Sequence, residues 1–156
     1  MEIKFIVNGE PKGKGRPRFY RLGKIVKTYT DSQTISYENR VLMCYKEKLR
    51  EYNIDESNVL FPKGTFVRLI VNCYFSLTKG DYGKKGLNKS GREKINNQWY
   101  DKKSDIDNIV KSVMDGLNGV AYVDDSQIVC LEATKQYTLD QTRVEITLKE
   151  LDIFTD

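Results

Sequence analysis

Hydrophobic and polar residues alternate along several short segments of the chain, and each such segment predicts a β-strand. The strongest alternation runs from Phe66 to Leu77, and it predicts a long strand packed against the core. The other predicted strands cover residues 3–7, 24–30, 128–138 and 143–151. The last two follow each other closely and are expected to form an antiparallel hairpin.

Two longer segments have apolar residues at helical spacing. The first begins at Asp31 or Ser32, either of which can cap a helix, and continues to about Arg50. The second runs from Asp105 to Asn118, carries one apolar stripe, and ends at an Asn-Gly pair typical of a helix C-terminus. The elements together predict an α+β fold, a two-layer sandwich of two main helices on a mixed sheet of about five strands.

The whole chain is predicted to be one domain. It has 156 residues, a size that one core can support, and it shows neither a repeat nor an internal boundary. Residues 79–103 are rich in Gly, Asn and Lys, so they are predicted to form a long, basic, flexible loop. No apolar stretch approaches the roughly 18 residues that span a bilayer, and no secretory signal is visible at the N-terminus. The expected location is therefore the cytoplasm.

The composition excludes several kinds of catalytic site. The chain contains no histidine, so neither a Ser-His-Asp nor a Cys-His mechanism is possible. The three cysteines, Cys44, Cys73 and Cys130, form no CxxC pair for zinc and no disulfide framework. They are expected to be small buried side chains in a reducing compartment. Catalysis would have to depend on carboxylates, lysines, hydroxyls or a bound hard cation.

Positive charge is concentrated in two segments. Residues 12–27 contain seven Lys and Arg and no acid, and residues 79–103 contain eight against three acids. Because the net charge of the whole chain is only +4, the remainder is acidic. A basic surface on an acidic body favours a polyanionic partner, whereas two solvated lysine-rich loops are the alternative explanation.

Two pairs of aspartates near the second helix are candidates for a catalytic centre. Asp105 and Asp107 lie at its start, and Asp124 and Asp125 precede a strand that can return alongside it. The simplest explanation of the first pair is one helix cap and one charged residue in the first turn. Three converging acids, however, would repel one another unless a divalent cation neutralised them. Ligands that offer only oxygen favour hard cations, so the predicted cofactor is Mg²⁺ or Mn²⁺.

Lys111 lies one helical turn beyond Asp107, and Asp115 lies one turn further on the same face. Such a row can be a surface ladder of ion pairs. Beside a metal site, however, the lysine could orient a water molecule or neutralise charge on a phosphate. The residues thus favour a metal-dependent phosphodiesterase, without deciding between Asp124 and Asp125 as the third acid.

At these residues, DIDNIVKSVMDGLNGVAYVDDSQI from Asp105 to Ile128, the sequence resembles the RusA family of Holliday-junction resolvases, mostly phage-encoded endonucleases. The segment KGKGRPRF near the N-terminus is similar to a signature frequent among the phage members. The resemblance implies that Asp105, Asp107 and Asp125 are catalytic, metal-binding carboxylates and that Lys111 is the catalytic lysine. It also implies a homodimer that cuts four-way DNA junctions by paired symmetric nicks.

The basic segments supply the predicted contacts to DNA phosphates. The predicted DNA-binding residues are Lys12, Lys14, Arg16, Arg18, Lys84 and Lys85. Tyr20, Trp99 and Tyr100 could stack on unpaired bases, although anchoring a loop is the commoner role of such residues. Two other functions stay open: a nuclease for other branched substrates such as flaps, forks or RNA–DNA hybrids, and a junction-binding protein without catalysis.

Overall fold

The structure is a computed structural model, and it describes residues 1–15, 18–29 and 32–152. The strands are β1 (Glu2–Asn8), β2 (Arg18–Leu22), β3 (Ile25–Tyr29), β4 (Phe66–Ser76), β5 (Tyr82–Gly83), β6 (Gly86–Leu87), β7 (Ile128–Thr138) and β8 (Arg143–Leu151). The helices are α1 (Ser32–Glu51), α2 (Lys89–Asn97) and α3 (Ile106–Leu117). Single 3₁₀ turns occur at Lys79–Asp81 and Asp125–Gln127. These elements confirm the predicted α+β fold and the two long helices.

The main sheet is mixed and has the strand order β1-β8-β4-β7. Strand β4 pairs in parallel with β7 and antiparallel with β8, which also pairs antiparallel with β1. The predicted hairpin of β7 and β8 is therefore wrong, because β4 lies between these two strands. Residues 139–142 cross the end of β4, where the Thr142 hydroxyl accepts a hydrogen bond from the Ser76 N–H at 3.0 Å. Every second residue of β4 is buried, as expected of a central strand.

The core lies between one face of this sheet and helices α1 and α3. Buried residues come from β1, β4 and β8 at alternating positions and from the apolar faces of the two helices. The helices approach closely at Gly116, where an added Cβ would lie 2.8 Å from the Glu38 carbonyl oxygen. Cys73 is buried and Cys44 and Cys130 are half-buried, all three as free thiols. None of the described helices is both long and apolar enough to cross a membrane.

Strands β2 and β3 form a hairpin of their own, so the main sheet has four strands and the predicted strand at 24–30 lies outside it. The two strands are joined by Gly23 and Lys24. Gly23 has a φ of +60°. A positive φ at the first residue of a two-residue turn is typical of a type II′ hairpin, where glycine carries no steric penalty.

Residues 79–103 contain more regular structure than the predicted loop. They form a 3₁₀ turn, the small β5–β6 hairpin and helix α2, so the prediction of a loop is wrong for 89–97; its flexibility stays a prediction. Helix α2 is capped by Asn88, whose side chain accepts a hydrogen bond from Gly91 N at 3.0 Å. Its Lys94 ammonium lies 2.9 Å from a carboxylate oxygen of Asp81, a residue only 1% exposed.

Candidate active site

The first turn of α3 presents two acidic side chains. The Asp105 carbonyl accepts the hydrogen bond from Ile109 N at 3.1 Å, but the Asp105 carboxylate forms no capping hydrogen bond. Asp107 lies in the same turn, and both side chains are exposed. Helix capping therefore explains the backbone position of Asp105 but not its carboxylate.

The alternative explanation for this row, a ladder of ion pairs along α3, is not formed among the described residues. Within the described part of the chain, the side chains of Asp107 and Lys111 make neither a hydrogen bond nor an ion pair. Asp115 instead accepts a hydrogen bond from the Lys14 ammonium at 2.7 Å. One carboxylate and one ammonium on this helix face are thus left available to a ligand.

A cleft of about 390 Å³ lies between α3 and β7 and contains three of the four predicted catalytic residues. Its charged residues are Asp107, Lys111, Asp115 and Asp125. Apolar side chains line the rest of it, among them Val110 and Met114 of α3 and Leu131 of β7. A second, more open cleft adjoins it, shares Asp107, and contains Asp105.

The neighbouring acids Asp124 and Asp125 have different environments. The Asp124 carboxylate accepts a hydrogen bond from Ser126 N at 3.2 Å, and the bonds with Ser126 lower the pKa of Asp124 below its usual range. Asp124 therefore builds the 3₁₀ turn. The Asp125 side chain faces the cleft and has no hydrogen-bond or ion-pair partner among the described residues. Of the two acids, Asp125 is thus the one whose carboxylate is left without a described partner, and its role as the third acid stays a prediction.

Gln127 is a positioning residue to which the sequence analysis assigned no role. Its side-chain oxygen accepts hydrogen bonds from Val123 N at 2.8 Å and Asp124 N at 3.1 Å. Its side-chain nitrogen donates to the Pro62 and Thr65 carbonyls at 3.0 and 3.2 Å. The spacing Asp-x-x-Gln is that of a capping box, and this pattern was the signal that could have revealed the role.

Tyr122 fixes the same turn against α3. Its ring is buried, and its hydroxyl donates a 2.6 Å hydrogen bond to the Met114 carbonyl. Burial raises the pKa of this phenol, and the nearby negative charges of Asp125 and Asp115 act in the same direction. Tyr122 is therefore a neutral group that attaches the acidic turn to the helix carrying Asp107.

The segment around Lys14 packs against the start of α3. Lys14 N donates to the Asn108 carbonyl at 2.8 Å, and a Cβ on Gly13 would lie 2.9 Å from the Cβ of Asn108. The Lys14 ammonium also lies 3.0 Å from a carboxylate oxygen of Glu38, and its pKa is raised, chiefly by the hydrogen bond to Asp115. Its charge is thus already paired. The DNA contact predicted for Lys14 stays a prediction, and the geometry shows that Lys14 joins α1 to α3.

The other predicted DNA-binding residues belong to different segments of the chain. Lys12 is exposed just before the segment docked on α3, and Arg18 begins the β2–β3 hairpin. Lys84 and Lys85 are exposed at the turn between β5 and β6. Arg16 lies outside the described residues. Their contacts to DNA remain predictions.

The donor chemistry of the site suits a hard cation, since the candidate ligands are carboxylate oxygens. Among residues 1–15, 18–29 and 32–152, however, no three acidic or cysteine side chains are close enough to hold a metal ion. Asp107 and Asp125 share one cleft, and Asp105 lies in the adjoining one. The acids are brought to one region but not yet into a coordination shell.

Comparison with known proteins adds an identification. The sequence pattern of a family described as endodeoxyribonuclease RusA matches residues 8–149, which include every acid of the cleft. The chain is also 31% identical over 150 residues to the uncharacterized protein YqaN of Bacillus subtilis (strain 168), and the match covers 96% of both proteins. The chain therefore belongs to the RusA endodeoxyribonuclease family.

Proposed function

We propose that this protein is a metal-dependent DNA endonuclease that resolves four-way junctions by paired symmetric nicks. The observation that supports this most is the cleft between α3 and β7. There Asp107, Asp125 and Lys111 have no partner among the described residues, in a chain of an endodeoxyribonuclease family. A charged group without a partner destabilises the folded protein unless it faces water or binds a ligand.

Asp105, Asp107 and Asp125 would hold Mg²⁺ or Mn²⁺. The carboxylates of Asp105 and Asp107 are exposed and unpaired within the described residues, so their side chains are free to turn toward a common ligand. When bound, such a cation would supply a nucleophilic water and would stabilise the charge that grows on phosphorus. The proposed set leaves out Asp124 and Asp115, because Ser126 and Lys14 already bind them.

The cleft residues have separate tasks in phosphodiester cleavage. Lys111 places a positive charge one turn from Asp107 and would neutralise the non-bridging oxygens of the scissile phosphate. Gln127 and Tyr122 hold the turn that carries Asp125, so the acid meets the phosphate without prior rearrangement of the backbone.

The four-way junction is the proposed substrate, and a homodimer is the proposed assembly. A two-fold assembly would place two identical clefts against a substrate that itself has two-fold symmetry. Each cleft would then cut one of two strands of like polarity, which accounts for paired nicks. Both proposals rest on the RusA family and on the resemblance of the residues from Asp105 to Ile128.

The test uses the full chain, a labelled four-way junction, and Mg²⁺ or Mn²⁺. We expect symmetric nicks near the branch point from the wild type and none from Asp107→Asn, which should bind the junction as tightly or more tightly. The substitution removes a metal ligand and one negative charge near the phosphate. Asp140→Asn, with the same chemical change in the connection between β7 and β8, should cut like the wild type.

Substrate competition separates the proposed function from its rivals. Preferential cutting of flaps, forks or RNA–DNA hybrids would replace the junction by another branched substrate. Tight junction binding without cleavage in either metal would identify a binding protein. Normal cleavage by Asp107→Asn would show that the active site lies elsewhere.

A further inference from the structure

The β2–β3 hairpin, residues 18–29, has an apolar tip that no other described element covers, and we call this hairpin the arm. Every residue of the arm is exposed, and its strands pair only with each other within the described residues. A two-stranded hairpin is at best marginally stable in water when nothing packs against it. Large exposed apolar side chains of this kind mark interaction sites.

The aliphatic residues of the arm lie at its end, and its aromatic residues Phe19, Tyr20 and Tyr29 lie nearer its base. Leu22 and Ile25 are paired across the turn and are each 59% exposed. Val26 is paired with Arg21 on the opposite face of the hairpin and is 57% exposed. Further along, Tyr20 and Tyr29 share the face of Leu22, with ring centroids 6.1 Å apart. The arm thus has an aliphatic tip and an aromatic shaft.

The charge of the arm identifies the kind of partner. Arg18, Arg21, Lys24 and Lys27 are its charged residues, and it contains no acid. Two such arms would repel each other, which disfavours a second copy of the arm as the occupant. Cations beside exposed apolar and aromatic groups suit a nucleic acid, in which phosphates flank stacked bases.

The arm is also attached close to the candidate active site. Gly15 N donates to the Thr34 hydroxyl at 3.3 Å, one residue after Lys14 is held against Asn108. Arg18 follows Gly15 by three residues, so their Cα atoms are at most about 11 Å apart. A DNA strand in the cleft of Asp107 would therefore lie within reach of the base of the arm.

We propose that the arm inserts Leu22, Ile25 and Val26 between base pairs at the branch point of DNA, while its four cations bind the flanking phosphates. This inference rests on the proposed function and deepens it, because it assigns the recognition of branched DNA to a surface outside the cleft. Apolar side chains that enter a base step must unstack it. At a branch point the stack is already interrupted, so insertion costs less there than in a continuous duplex.

The experiment compares Leu22→Ser/Ile25→Ser with the wild type in the full chain, in the presence of EDTA so that DNA is not cut. The probe is 2-aminopurine at the branch point of a four-way junction, with the same base inside a linear duplex as reference. We expect the wild type to increase the fluorescence of the junction probe as the base unstacks. The double variant should lose this increase and bind the junction about ten-fold more weakly. Its affinity for the duplex should change less than about two-fold.

Leu139→Ser is the matched control, since Leu139 is 63% exposed in the connection between β7 and β8. It should behave like the wild type. Thermal unfolding of all variants should coincide, because the replaced side chains are exposed. A separate variant, Arg21→Gln/Lys24→Gln, should weaken binding to junction and duplex alike and reduce the salt slope by about one for each lost phosphate contact.

Several outcomes would overturn the proposal. An unchanged fluorescence increase in Leu22→Ser/Ile25→Ser would show that the tip does not enter the stack. Equal losses of affinity for the junction and for the duplex would show that the arm only contacts phosphates. If the wild type sedimented as a dimer and Leu22→Ser/Ile25→Ser as a monomer, the arm would bind a second copy of the chain instead of DNA. Junction cleavage by a wild type that gives no fluorescence increase would remove the arm proposal alone, whereas a fluorescence increase without cleavage in Mg²⁺ or Mn²⁺ would remove only the nuclease.

Discussion

Two aspartate–lysine combinations in this chain have the same chemical groups and opposite environments. Asp81 is 1% exposed, bound by Lys94 at 2.9 Å and by Ser90 at 2.8 Å. Asp107 and Lys111 lie one helical turn apart, yet their side chains bind no described residue. In the first combination the two charges bind each other, whereas the second leaves its charges to an external ligand. The comparison teaches that partners, and not residue types, distinguish a structural ion pair from a candidate catalytic one.

The largest expected effect concerns the unpaired combination. Lys111→Met should lower the rate of junction cleavage by about 10²- to 10³-fold, since it removes a charge that acts on the transition state. The thermal midpoint should stay that of the wild type, because Lys111 stabilises no described contact. Single-turnover cleavage and thermal unfolding of the same preparation measure both quantities. A lower midpoint with normal cleavage would reverse the assignment.

For the paired residues Asp81 and Lys94, we expect a loss of stability and little change in cleavage. Lys94→Met should lower the thermal midpoint by several degrees, because it leaves the buried Asp81 carboxylate without its cation. Cleavage at a temperature well below the midpoint should remain within a few-fold of the wild type. Lys89→Met is the control, as Lys89 is exposed on the same helix. Equal effects of the two methionine variants would argue against a special role of Asp81.

Backbone packing around Asp81 gives a smaller effect. A Cβ on Gly91 would lie 2.4 Å from the Asp81 carbonyl oxygen, whereas the nearest atom to a Cβ on Gly80 is Thr78 Oγ1 at 3.8 Å. Gly91→Ala should therefore destabilise the fold by about 1 to 3 kcal/mol, although alanine is the better helix former by about 1 kcal/mol. Gly80→Ala should change the free energy of unfolding by less than about 0.5 kcal/mol. Urea unfolding of both variants measures the difference.

The smallest effect is a dependence of stability on pH. Hydrogen bonds from Lys94 and Thr78 hold the pKa of Asp81 far below its usual range. The stability from this carboxylate is therefore complete above its unfolded-state pKa of about 4 and is lost as the pH falls toward the folded-state pKa. Between about pH 6 and pH 3 the wild type should lose more unfolding free energy than Asp81→Asn. Parallel losses would show that Asp81 is not responsible.

Local patterns in the sequence predicted the long elements well. The apolar stripe of α3 and the strict alternation in β4 are periodic over enough residues to exclude other structures. The prediction that β7 pairs with β8 was wrong, and the reason is physical. A short connection usually joins neighbouring strands, but β4 is the more completely buried strand and occupies the position between them.

The candidate site was predictable in part. The positions of Asp105 and Asp107 follow from the start of α3. The resemblance selected Asp125, whose role stays a prediction, and the structure adds that Asp124 is bound by Ser126. Helix α2 was missed because it is short and polar, and it depends on contacts with Asp81 that no local pattern contains. The pairing of Lys14 with Asp115, 101 residues away, was invisible for the same reason.

The position of β8 has a consequence for the synthesis of the protein. Glu2 in β1 pairs with Lys149 in β8, and β8 also supplies one of the two neighbours of β4. During translation, β1 and β4 have no shared neighbour until residues 143–151 have left the ribosome. Until then one edge of the strongly apolar strand β4 has no partner strand. Such an unpaired edge can pair with other nascent chains. A fragment ending before residue 143 should therefore aggregate, and the complete sheet can form only after translation of its last strand.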